Sequence, residues 1–388
     1  MRKGFKSVLI SAAGSAMLAS AAWSAPLTPG NVVIYRVGDG SAGLVNTGVP
    51  VFLDEYNPAG TLVQSIPMPT TASGANKALF ASGTASSEGL INLSADGQYI
   101  IATGYASTHT SSLSSTAGTL INRVVARVDM NGVIDTSTAL TDFASGNNPR
   151  SATSVDGTGF WVAGGAGGVR YASLGGTTST DLTTGAGFTN VRAVSIYDGQ
   201  LYASSGSGTN TFRGVETIGT GLPTSGAQTV TRLAGLTDTL SNGPYQFLLA
   251  DLDATVPGVD TLYFADDSTT SGGISKFALV SGTWTYVDKV GTSADAYRGL
   301  AGVVESGIVT LYATRKGGTA AVGGGELVSL IDTNGYNLGF SSTTPTLLAT
   351  AGTNTAFRGV VAVVPEPSAV GLLGIAAGLL ARRRARGL

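Results

Sequence analysis

The sequence contains no cysteine, a single histidine (His109) and few charged residues, which make up 12% of its 388 positions. The absence of cysteine excludes disulfide bonds, cysteine-ligated metal centres and cysteine nucleophiles. A serine–histidine–aspartate triad would have to use His109, which lies in a polar run of serines and threonines. An isolated histidine in such a loop is usually solvated, so we expect no catalytic role for it.

Glycine is the residue in excess, with 56 copies, or about one position in seven. Residues 26–364 show no helical periodicity of useful length. Short apolar or alternating runs such as 31–37 and 98–103 recur instead, between clusters of small and polar residues. Such runs predict strands, and the Asp-Gly and Asn-Gly pairs between them predict tight hairpin turns. We therefore expect an all-β body. These pairs lie at 96–97, 131–132, 156–157 and 198–199.

Residues 1–24 have the three parts of a secretory signal peptide. Arg2, Lys3 and Lys6 supply positive charge, a short apolar stretch follows, and Ala22 and Ser24 are small residues suited to cleavage. Cleavage after Ser24 and cleavage after Ala22 both fit. The stretch is short and interrupted by serine and glycine, which favours removal over retention as a membrane anchor. We therefore expect export through the Sec translocon.

The C-terminus carries a more specific pattern. Pro365, Glu366 and Pro367 precede an apolar run at 369–381, and four arginines follow that run. A helix of this length spans about 20 Å, less than the roughly 30 Å of a bilayer's hydrocarbon core. We expect a short transmembrane helix whose arginines stay in the cytoplasm, which leaves the body outside. These arginines are Arg382, Arg383, Arg384 and Arg386.

A Pro-Glu-Pro motif, a short apolar helix and a terminal arginine cluster, in this order, resemble the PEP-CTERM sorting signal of Gram-negative bacteria. The resemblance covers residues 365–388 and concerns sorting alone. It implies an exosortase that recognises Pro365, Glu366 and Pro367, cleaves near them and passes the protein outward. It also implies transient anchoring in the inner membrane, then a place at the cell surface or in the extracellular matrix of a biofilm. A plain tail anchor is the alternative, and the signal peptide disfavours it.

Residues 1–24 and 365–388 are rich in basic residues, so the net charge of the whole chain differs from that of the body between them. Seven of the 22 basic residues but only one of the 24 acidic residues lie in these ends. Residues 25–364 therefore keep 15 basic and 23 acidic side chains, a net charge of about −8. An acidic body argues against nucleic acid or an anionic membrane surface as a direct partner.

One pattern returns along residues 25–364, with copies that start near 88, 150, 192, 245, 298 and 358. Each interval can hold a four-stranded sheet, and radial repetition of such sheets is a β-propeller. We predict six blades, with seven as the main alternative and an irregular β-sandwich or β-solenoid as competing folds. The last copy stops at the sorting signal, so residues 357–364 are expected to join strands from 31–68 in one blade. This pairing would close the ring and remove exposed sheet edges.

Four of the six copies begin with arginine: Arg150, Arg192, Arg298 and Arg358. In a propeller, this end of the innermost strand lies near the central channel. The guanidinium groups either face an anionic ligand, since arginine binds carboxylate or phosphate bidentately, or pair neighbouring blades through carbonyls and aspartates. Repetition from blade to blade is typical of structural residues, which favours pairing, and both interpretations stay open.

Acidic residues recur between 251 and 267, where an oxygen-rich loop would suit Ca²⁺. Asp251 and Asp253 are weak metal candidates, because their spacing departs from a calcium loop and aspartate caps turns more often. No spacing singles out a glycosidase-type pair of carboxylates, and we expect no cofactor. Five aromatics that could stack on sugars are interpreted instead as core between the sheets. They are Trp161, Tyr202, Tyr263, Trp284 and Tyr312.

These features predict an exported, non-catalytic propeller scaffold of the cell surface or extracellular matrix, and we expect the chain not to be an enzyme. The alternative is a propeller that binds a carbohydrate or small ligand, with extracellular polysaccharide as a partner. A hydrolase or lyase that uses carboxylates and Ca²⁺ is disfavoured by the low charge, the single histidine and the lack of a motif.

Overall fold

The computed structural model describes residues 25–206, 212–317 and 324–364. These residues form 25 β-strands and one 3₁₀ turn, Leu113–Ser115, and contain no α-helix. The prediction of an all-β body is therefore confirmed. Within the same ranges, no helix is long and apolar enough to cross a membrane. The predicted signal peptide and C-terminal transmembrane helix lie outside the described residues.

The N-terminal part of the chain contributes eight strands to one antiparallel array. Their bounds are β1 Val32–Val37, β2 Val49–Tyr56, β3 Leu62–Pro67, β4 Phe80–Ala81, β5 Asn92–Leu93, β6 Tyr99–Tyr105, β7 Arg123–Asp129 and β8 Ile134–Leu140. β1, β2 and β3 pair in order, as do β5 to β8. The short strand β4 links the two sets, because it pairs with both β2 and β6.

Three separate four-stranded antiparallel sheets follow, each built from consecutive strands. The first contains β9 Pro149–Thr153, β10 Gly159–Gly164, β11 Val169–Ser173 and β12 Thr180–Asp181. The second contains β13 Val191–Tyr197, β14 Gln200–Ser205, β15 Gly214–Ile218 and β16 Val230–Arg232. The third contains β17 Pro244–Ala250, β18 Thr261–Asp266, β19 Gly273–Val280 and β20 Thr283–Val290.

The C-terminal part ends with five strands. They are β21 Gly299–Glu305, β22 Ile308–Lys316, β23 Gly324–Asp332, β24 Thr346–Thr350 and β25 Ala356–Ala362. β21 to β24 pair in order, and β25 lies antiparallel beside β1, with Val32 opposite Ala362. The segments 31–68 and 357–364, which the repeat pattern assigns to one sheet, are therefore paired. Both β1 and β25 are buried almost throughout, which explains their continuous apolar runs.

Tight turns lie where the sequence has Asp-Gly and Asn-Gly pairs. Asp198 and Gly199 have φ angles of 47° and 67°, and Tyr197 lies opposite Gln200 across them. Two successive positive φ angles are typical of a type I′ turn, whose twist matches that of the flanking strands. Part of the glycine excess therefore serves these hairpins.

The first strand of each four-strand run packs against the first strand of the next. We call these strands the inner strands: β5 with the preceding residues 88–91, β9, β13, β17, β21 and β25. Backbone hydrogen bonds join several of them directly, from the Leu90 amide to the Arg150 carbonyl at 2.9 Å and from the Gln246 amide to the Arg298 carbonyl at 3.2 Å.

Gly359 lies at the closest approach of two inner strands. Its amide donates to the Gly89 carbonyl at 2.9 Å. A Cβ atom at this position would lie 2.6 Å from both the Gly89 oxygen and the Ile91 amide nitrogen. Since both neighbours are backbone atoms, only glycine fits between β25 and residues 88–91.

The apolar core fills the spaces between neighbouring sheets. The five aromatics named above are all at least nine-tenths buried. The Trp161 indole donates to the Pro223 carbonyl at 2.7 Å, and the Tyr263 hydroxyl donates to Asp332 at 2.8 Å. Their burial matches their interpretation as core side chains and leaves them unsuited to stacking on a sugar.

Candidate functional site

Residues from the starts of the six inner strands, together with one aspartate, form a cluster of charged and aromatic side chains. In the sequence, each of the six occupies the first position of a repeat copy. We define the inner-strand cluster as these six residues with Asp267, which follows β18. The six are Glu88, Arg150, Arg192, Tyr245, Arg298 and Arg358.

Tyr245 lies between two guanidinium groups of the cluster. The central carbon of Arg192 is 4.0 Å from the centroid of the Tyr245 ring, and that of Arg298 is 5.5 Å from it. Both distances suit cation–π attraction. The buried ring therefore holds two arginines, from the sheets on either side of its own, at the same end of the inner strands.

Asp267 supplies negative charge to the same two arginines, but unequally. Arg298 donates its Nε–H to Asp267 Oδ2 at 3.0 Å, and its Nη2 lies 2.9 Å from the same oxygen. Arg192 Nη1 lies 3.6 Å from Asp267 Oδ1, which is beyond hydrogen-bond distance. One carboxylate therefore pairs closely with Arg298 and only loosely with Arg192.

Arg192 keeps donor capacity that the surrounding residues do not use. Its Nε and Nη1 are buried and make no hydrogen bond to any described residue. Its guanidinium packs against Gly206, where any side chain would collide with Nε. A buried donor without a partner costs about 1–3 kcal/mol, so such groups are uncommon in folded proteins.

Arg150 reaches from its own sheet to the next inner strand. Its Nη1 donates to Asn190 Oδ1 at 2.6 Å and to the Val191 carbonyl at 3.1 Å. Burial, followed by the charge of Arg192, lowers the pKa of Arg150 to about 10. The Arg150 Nε is buried and has no hydrogen-bond partner among the residues described. Pairing between sheets thus accounts for only part of this guanidinium.

Arg358 is the most deeply buried of the four strand-start arginines. It donates to the Gly83 carbonyl at 3.2 Å. Burial, followed by the charge of Arg298, lowers the pKa of Arg358 to about 10, and Glu88 opposes this change. Glu88 also acts on the pKa of Arg150, so its carboxylate influences both arginines.

The Glu88 carboxylate is held mainly by neutral donors. It accepts hydrogen bonds from the Tyr105 hydroxyl at 2.6 Å, from Asn148 Nδ2 at 2.5 Å and from the Ser82 amide at 2.9 Å. Burial raises the pKa of Glu88, while these hydrogen bonds and the charge of Arg358 lower it. Its negative charge is therefore shared among several groups.

Positive charge exceeds negative charge around the cluster. Arg123 adds a fifth guanidinium, 5.1 Å from the Tyr105 ring centroid. Burial lowers the pKa of Arg123, and Tyr105 and Glu88 oppose this change. Five arginines therefore accompany three carboxyl groups: Glu88, Asp267 and Asp266, which lies beside Asp267 at Gly243. The five arginines are a third of the 15 basic residues in a body of net charge about −8. Buried cations in excess are costly unless an anion accompanies them, so this arrangement favours an anionic ligand.

Gln246 crosses between inner strands on one side of the cluster. Its Nε2 donates to the carbonyls of Ile91 at 2.7 Å and Val360 at 3.2 Å. Its Oε1 accepts from the amides of Leu300 at 3.4 Å and Val360 at 3.1 Å. One buried side chain thus bridges three further inner strands. Gln246 and its partners lie further along the inner strands than the cluster does. We therefore expect a ligand to approach from the opposite side, at the end where the inner strands begin.

A cavity of about 190 Å³ lies at the other end of the inner strands. Val364, the last described residue before the sorting motif, lines it, so the chain leaves the body at this end. The N-terminal segment arrives there too, since the Gly30 amide donates to the Val363 carbonyl at 2.7 Å. The body therefore has both chain ends opposite the inner-strand cluster. Other lining residues are Ile91, Ile196, Phe247, Leu300 and Val361.

The weak metal candidates Asp251 and Asp253 do not belong to a larger ligand set in the described parts of the chain. Asp253 accepts hydrogen bonds from the Thr255 amide at 2.9 Å and hydroxyl at 2.7 Å, which is turn capping. Residues 25–206, 212–317 and 324–364 contain no group of three or more histidine, aspartate or glutamate side chains suited to a metal. His109 Nδ1 lies 2.9 Å from the Ser111 hydroxyl in a loop.

The predicted sorting residues lie outside the described residues, and their roles remain predictions. This applies to the recognition motif, Pro365, Glu366 and Pro367, and to the arginines expected to stay in the cytoplasm. The latter are Arg382, Arg383, Arg384 and Arg386.

Sequence reasoning finds the four strand-start arginines but misses their partners. Glu88 and Tyr245 occupy the same repeat position as the arginines, so superposition of the six copies would have included them. Asp267 is read from sequence as part of an acidic segment. Its pairing with Arg298 joins residues 31 positions apart, and no local pattern marks such a contact.

No protein-family model matches the chain, and no curated protein sequence matches it. Among similar solved structures, a GH74 enzyme from Niastella koreensis has 14% identity and a TM-score of 0.45, covering 83% of this chain and 46% of that one. A gluconolactonase from Xanthomonas campestris has 11% identity and a TM-score of 0.43, covering 87% and 90%. U3-55K has 9% identity and a TM-score of 0.40, covering 84% and 85%. The chain thus spans about half the length of the GH74 structure.

These comparisons correct the prediction that the chain is not an enzyme. Two of the three structures named above are of enzymes. The prediction, which excluded an enzyme because of the chain's composition, is therefore wrong. The physical reason is that catalysis needs only a few placed groups, and average charge does not report local clusters such as the one described above. At 9–14% identity and TM-scores below 0.5, the comparisons transfer no activity to this chain.

Proposed function

We propose that the chain is an exported protein of the Gram-negative cell surface or extracellular matrix, and that its body is a closed six-bladed β-propeller with a ligand-binding function. After Sec export, the C-terminal helix holds the chain in the inner membrane, and an exosortase acts at Pro365–Pro367. The ligand is a carbohydrate or another small molecule, with extracellular polysaccharide as the expected source.

The convergence of the strand-start residues is the observation that carries this proposal. Successive members of the cluster influence one another in repeat order: Arg150 with Arg192, Arg192 with Tyr245, Tyr245 with Arg298, Arg298 with Arg358. The charge of Glu88 acts on the pKa of both Arg358 and Arg150. Six sheets around one axis would produce such a succession, and the pairing of β1 with β25 would complete the sixth.

The charge of the cluster supports ligand binding as the role of the body. Arg192 retains two buried nitrogens, and Arg150 one, without a hydrogen-bond partner among the described residues, and these donors are free to bind an anionic group. The cluster also lies at the end opposite Val364. A body attached through its C-terminus would therefore present the cluster away from the membrane.

Processing of the C-terminus tests the sorting half of the proposal. The full chain is expressed in an exosortase-containing Gram-negative host beside two variants, one lacking residues 365–388 and one carrying Pro365→Ala with Pro367→Ala. We expect the full chain to lose its tail and leave the inner membrane, and the double alanine variant to remain there at full mass. Equal mass and fractionation of the full chain and the alanine variant would contradict exosortase sorting.

A glycan array tests the ligand-binding half independently. The purified chain is applied to neutral and acidic saccharides, with soluble competitor. Saturable binding that the competitor removes supports a ligand-binding body, and the absence of any such binding across the array contradicts it.

A further inference from the structure

In the inner-strand cluster, the Asp267 carboxylate lies closer to Arg298 than to Arg192. Asp267 pairs with Arg298 at 2.9 and 3.0 Å, through Nη2 and Nε, but stays 3.6 Å from Arg192. Arg192 retains two buried nitrogens without a hydrogen-bond partner among the described residues, and Arg150 beside it retains one. Arg298 thus has a close carboxylate partner, whereas Arg192, which contacts the same Tyr245 ring, has none within hydrogen-bond distance.

We propose that a carboxylate group of the ligand binds at Arg192, between Arg150 and Asp267, and that the ligand class is an acidic sugar such as a uronic acid. This inference rests on the proposed ligand-binding function and names its ligand. A carboxylate offers two coplanar acceptor oxygens, which match two parallel donors of a guanidinium. In the neighbouring Asp267–Arg298 pair, two guanidinium nitrogens also meet one carboxylate, although both lie at the same oxygen, Oδ2.

Charge supports an anion at this position rather than a neutral sugar alone. Five arginines accompany three carboxyl groups, Glu88, Asp266 and Asp267. Burial, followed by the like charge of Arg192, lowers the pKa of Arg150. A bound anion would lie beside both positive charges and offset their mutual repulsion.

Exposure indicates where the ligand enters. The side chains of Asp267 and Arg298 keep 16% and 17% of their surface accessible, and Arg192 keeps 10%. The Nε and Nη1 atoms of Arg192 are themselves buried, so a ligand that reaches them must displace the groups that cover them. Gln246 bridges the inner strands on the far side. The accessible edge of the cluster is therefore the one formed by Arg192, Asp267 and Arg298.

The closing experiment is calorimetric titration of the purified full-length chain with galacturonate, with galactose and with oligogalacturonate. Two variants are expected to change the affinity for galacturonate in opposite directions. Arg192→Met removes the donor, and Asp267→Asn neutralises the internal carboxylate that competes for the arginines. Arg170→Met is the matched control, because Arg170 lies on β11 and pairs with Asp142 and Asp181 away from the cluster.

We expect saturable binding of galacturonate and none of galactose. Arg192→Met should weaken galacturonate at least tenfold, Arg170→Met should stay within twofold of the unmodified chain, and Asp267→Asn should bind several-fold more tightly. A variant that merely misfolds cannot bind more tightly, so the Asp267→Asn result separates a site effect from a structural one. Tighter binding of oligogalacturonate than of galacturonate would assign the carboxylate to a polysaccharide, and the reverse would assign it to a free acid.

Two results overturn the inference. Equal affinities of Arg192→Met and Arg170→Met for galacturonate would show that Arg192 does not bind the ligand. An Asp267→Asn affinity no higher than that of the unmodified chain would show that Asp267 does not compete with the ligand for the arginines. Binding of galactose that ignores Arg192 would overturn the acidic-sugar inference and leave the ligand-binding function standing. Absence of binding to every saccharide would contradict both.

Discussion

The guanidinium carbon of Arg192 lies 4.0 Å from the centroid of the Tyr245 ring, and these two residues occupy the same position in successive repeat copies. A repeat that places one residue at each strand start therefore places these residues beside one another in space. Arginine fills four of the six positions, so the convergence concentrates positive charge in an otherwise acidic body. The repeat thus creates both the architecture and the candidate site.

Pairing of the first and last strands can be tested by a disulfide, because the chain has no cysteine of its own. Val32 and Ala362 lie opposite each other and share one face of the sheet. We expect Val32→Cys with Ala362→Cys to oxidise to an intramolecular disulfide, visible as a loss of two hydrogens in intact mass. Val33→Cys with Ala362→Cys is the control, since Val33 points to the other face. Equal oxidation of the two pairs would argue against this register.

The β13–β14 turn should depend on glycine for conformational reasons alone. Gly199 has φ of 67°, and a Cβ there would meet nothing within 4 Å. Gly199→Ala should therefore cost about 1–2 kcal/mol through strain in the left-handed region. Gly43→Ala is the matched control, because its surroundings are equally open and its φ is not positive. Urea unfolding measures both, and equal midpoints would contradict the type I′ turn.

The buried carboxyl of Glu216 should make stability fall as pH rises. Burial raises the pKa of Glu216 well above its usual value, opposed by Ser205 and Arg232, and its Oε2 has no hydrogen-bond partner among the described residues. The unfolded chain ionises first, so stability present below the unfolded pKa is lost as pH climbs toward the folded one.

Glu216→Gln should therefore be the more stable protein at pH 8, by roughly 1–3 kcal/mol, with a smaller difference at about pH 4.5. Urea unfolding of both proteins at the two pH values measures this. Glu305→Gln, at an exposed position at the end of β21, serves as the control and should leave the pH dependence unchanged. A Glu216→Gln variant that loses stability at pH 8 would show that the ionised carboxylate contributes favourably.

The position of Val364 predicts how the body sits while the tail is inserted. Only residues 365–368 separate Val364 from the apolar run, and four residues span at most about 14 Å. The end of the body that contains Val364 should therefore face the bilayer. Leu338 lies in the β23–β24 loop at this end, and Leu120 lies just before Arg123 at the other, with exposed fractions of 59% and 65%.

Single cysteines at these two leucines can carry a fluorophore on the full-length chain in lipid vesicles. We expect a quencher attached to lipid headgroups to reduce the emission of the Leu338→Cys label strongly and that of the Leu120→Cys label weakly. Equal quenching would mean that the body tumbles freely on its tether or lies in another orientation.

The strands were predictable where the repeat constrains them. Residues near Arg150, Arg192 and Arg298 must pack against equivalent residues of a neighbouring sheet, so their sequence context recurs and identifies the inner strands. Some of the outermost strands are short and partly exposed, as in β12 with its two residues, Thr180 and Asp181. Few contacts constrain them, so they leave little periodic signal.

The cluster was predictable only in part, for a related reason. The arginines recur at one repeat position, which sequence alone displays. Asp267 pairs more closely with Arg298 than with Arg192, because its carboxylate oxygens lie 2.9 Å from Arg298 Nη2 and 3.6 Å from Arg192 Nη1, in different sheets. Such distances follow from how adjacent sheets are placed, and no spacing along the chain encodes them.

The most direct test of the account follows the arginine Nε–H signals of the full-length chain by ¹⁵N–¹H NMR during a titration with galacturonate. Loss of a signal in Arg192→Met, in Arg150→Met and in Arg170→Met assigns those three resonances. The account predicts that the Arg192 signal shifts in a saturable manner, together with that of Arg150, while the Arg170 signal stays in place. An Arg192 signal that does not move while galacturonate binds elsewhere, or no response from any arginine, would contradict it.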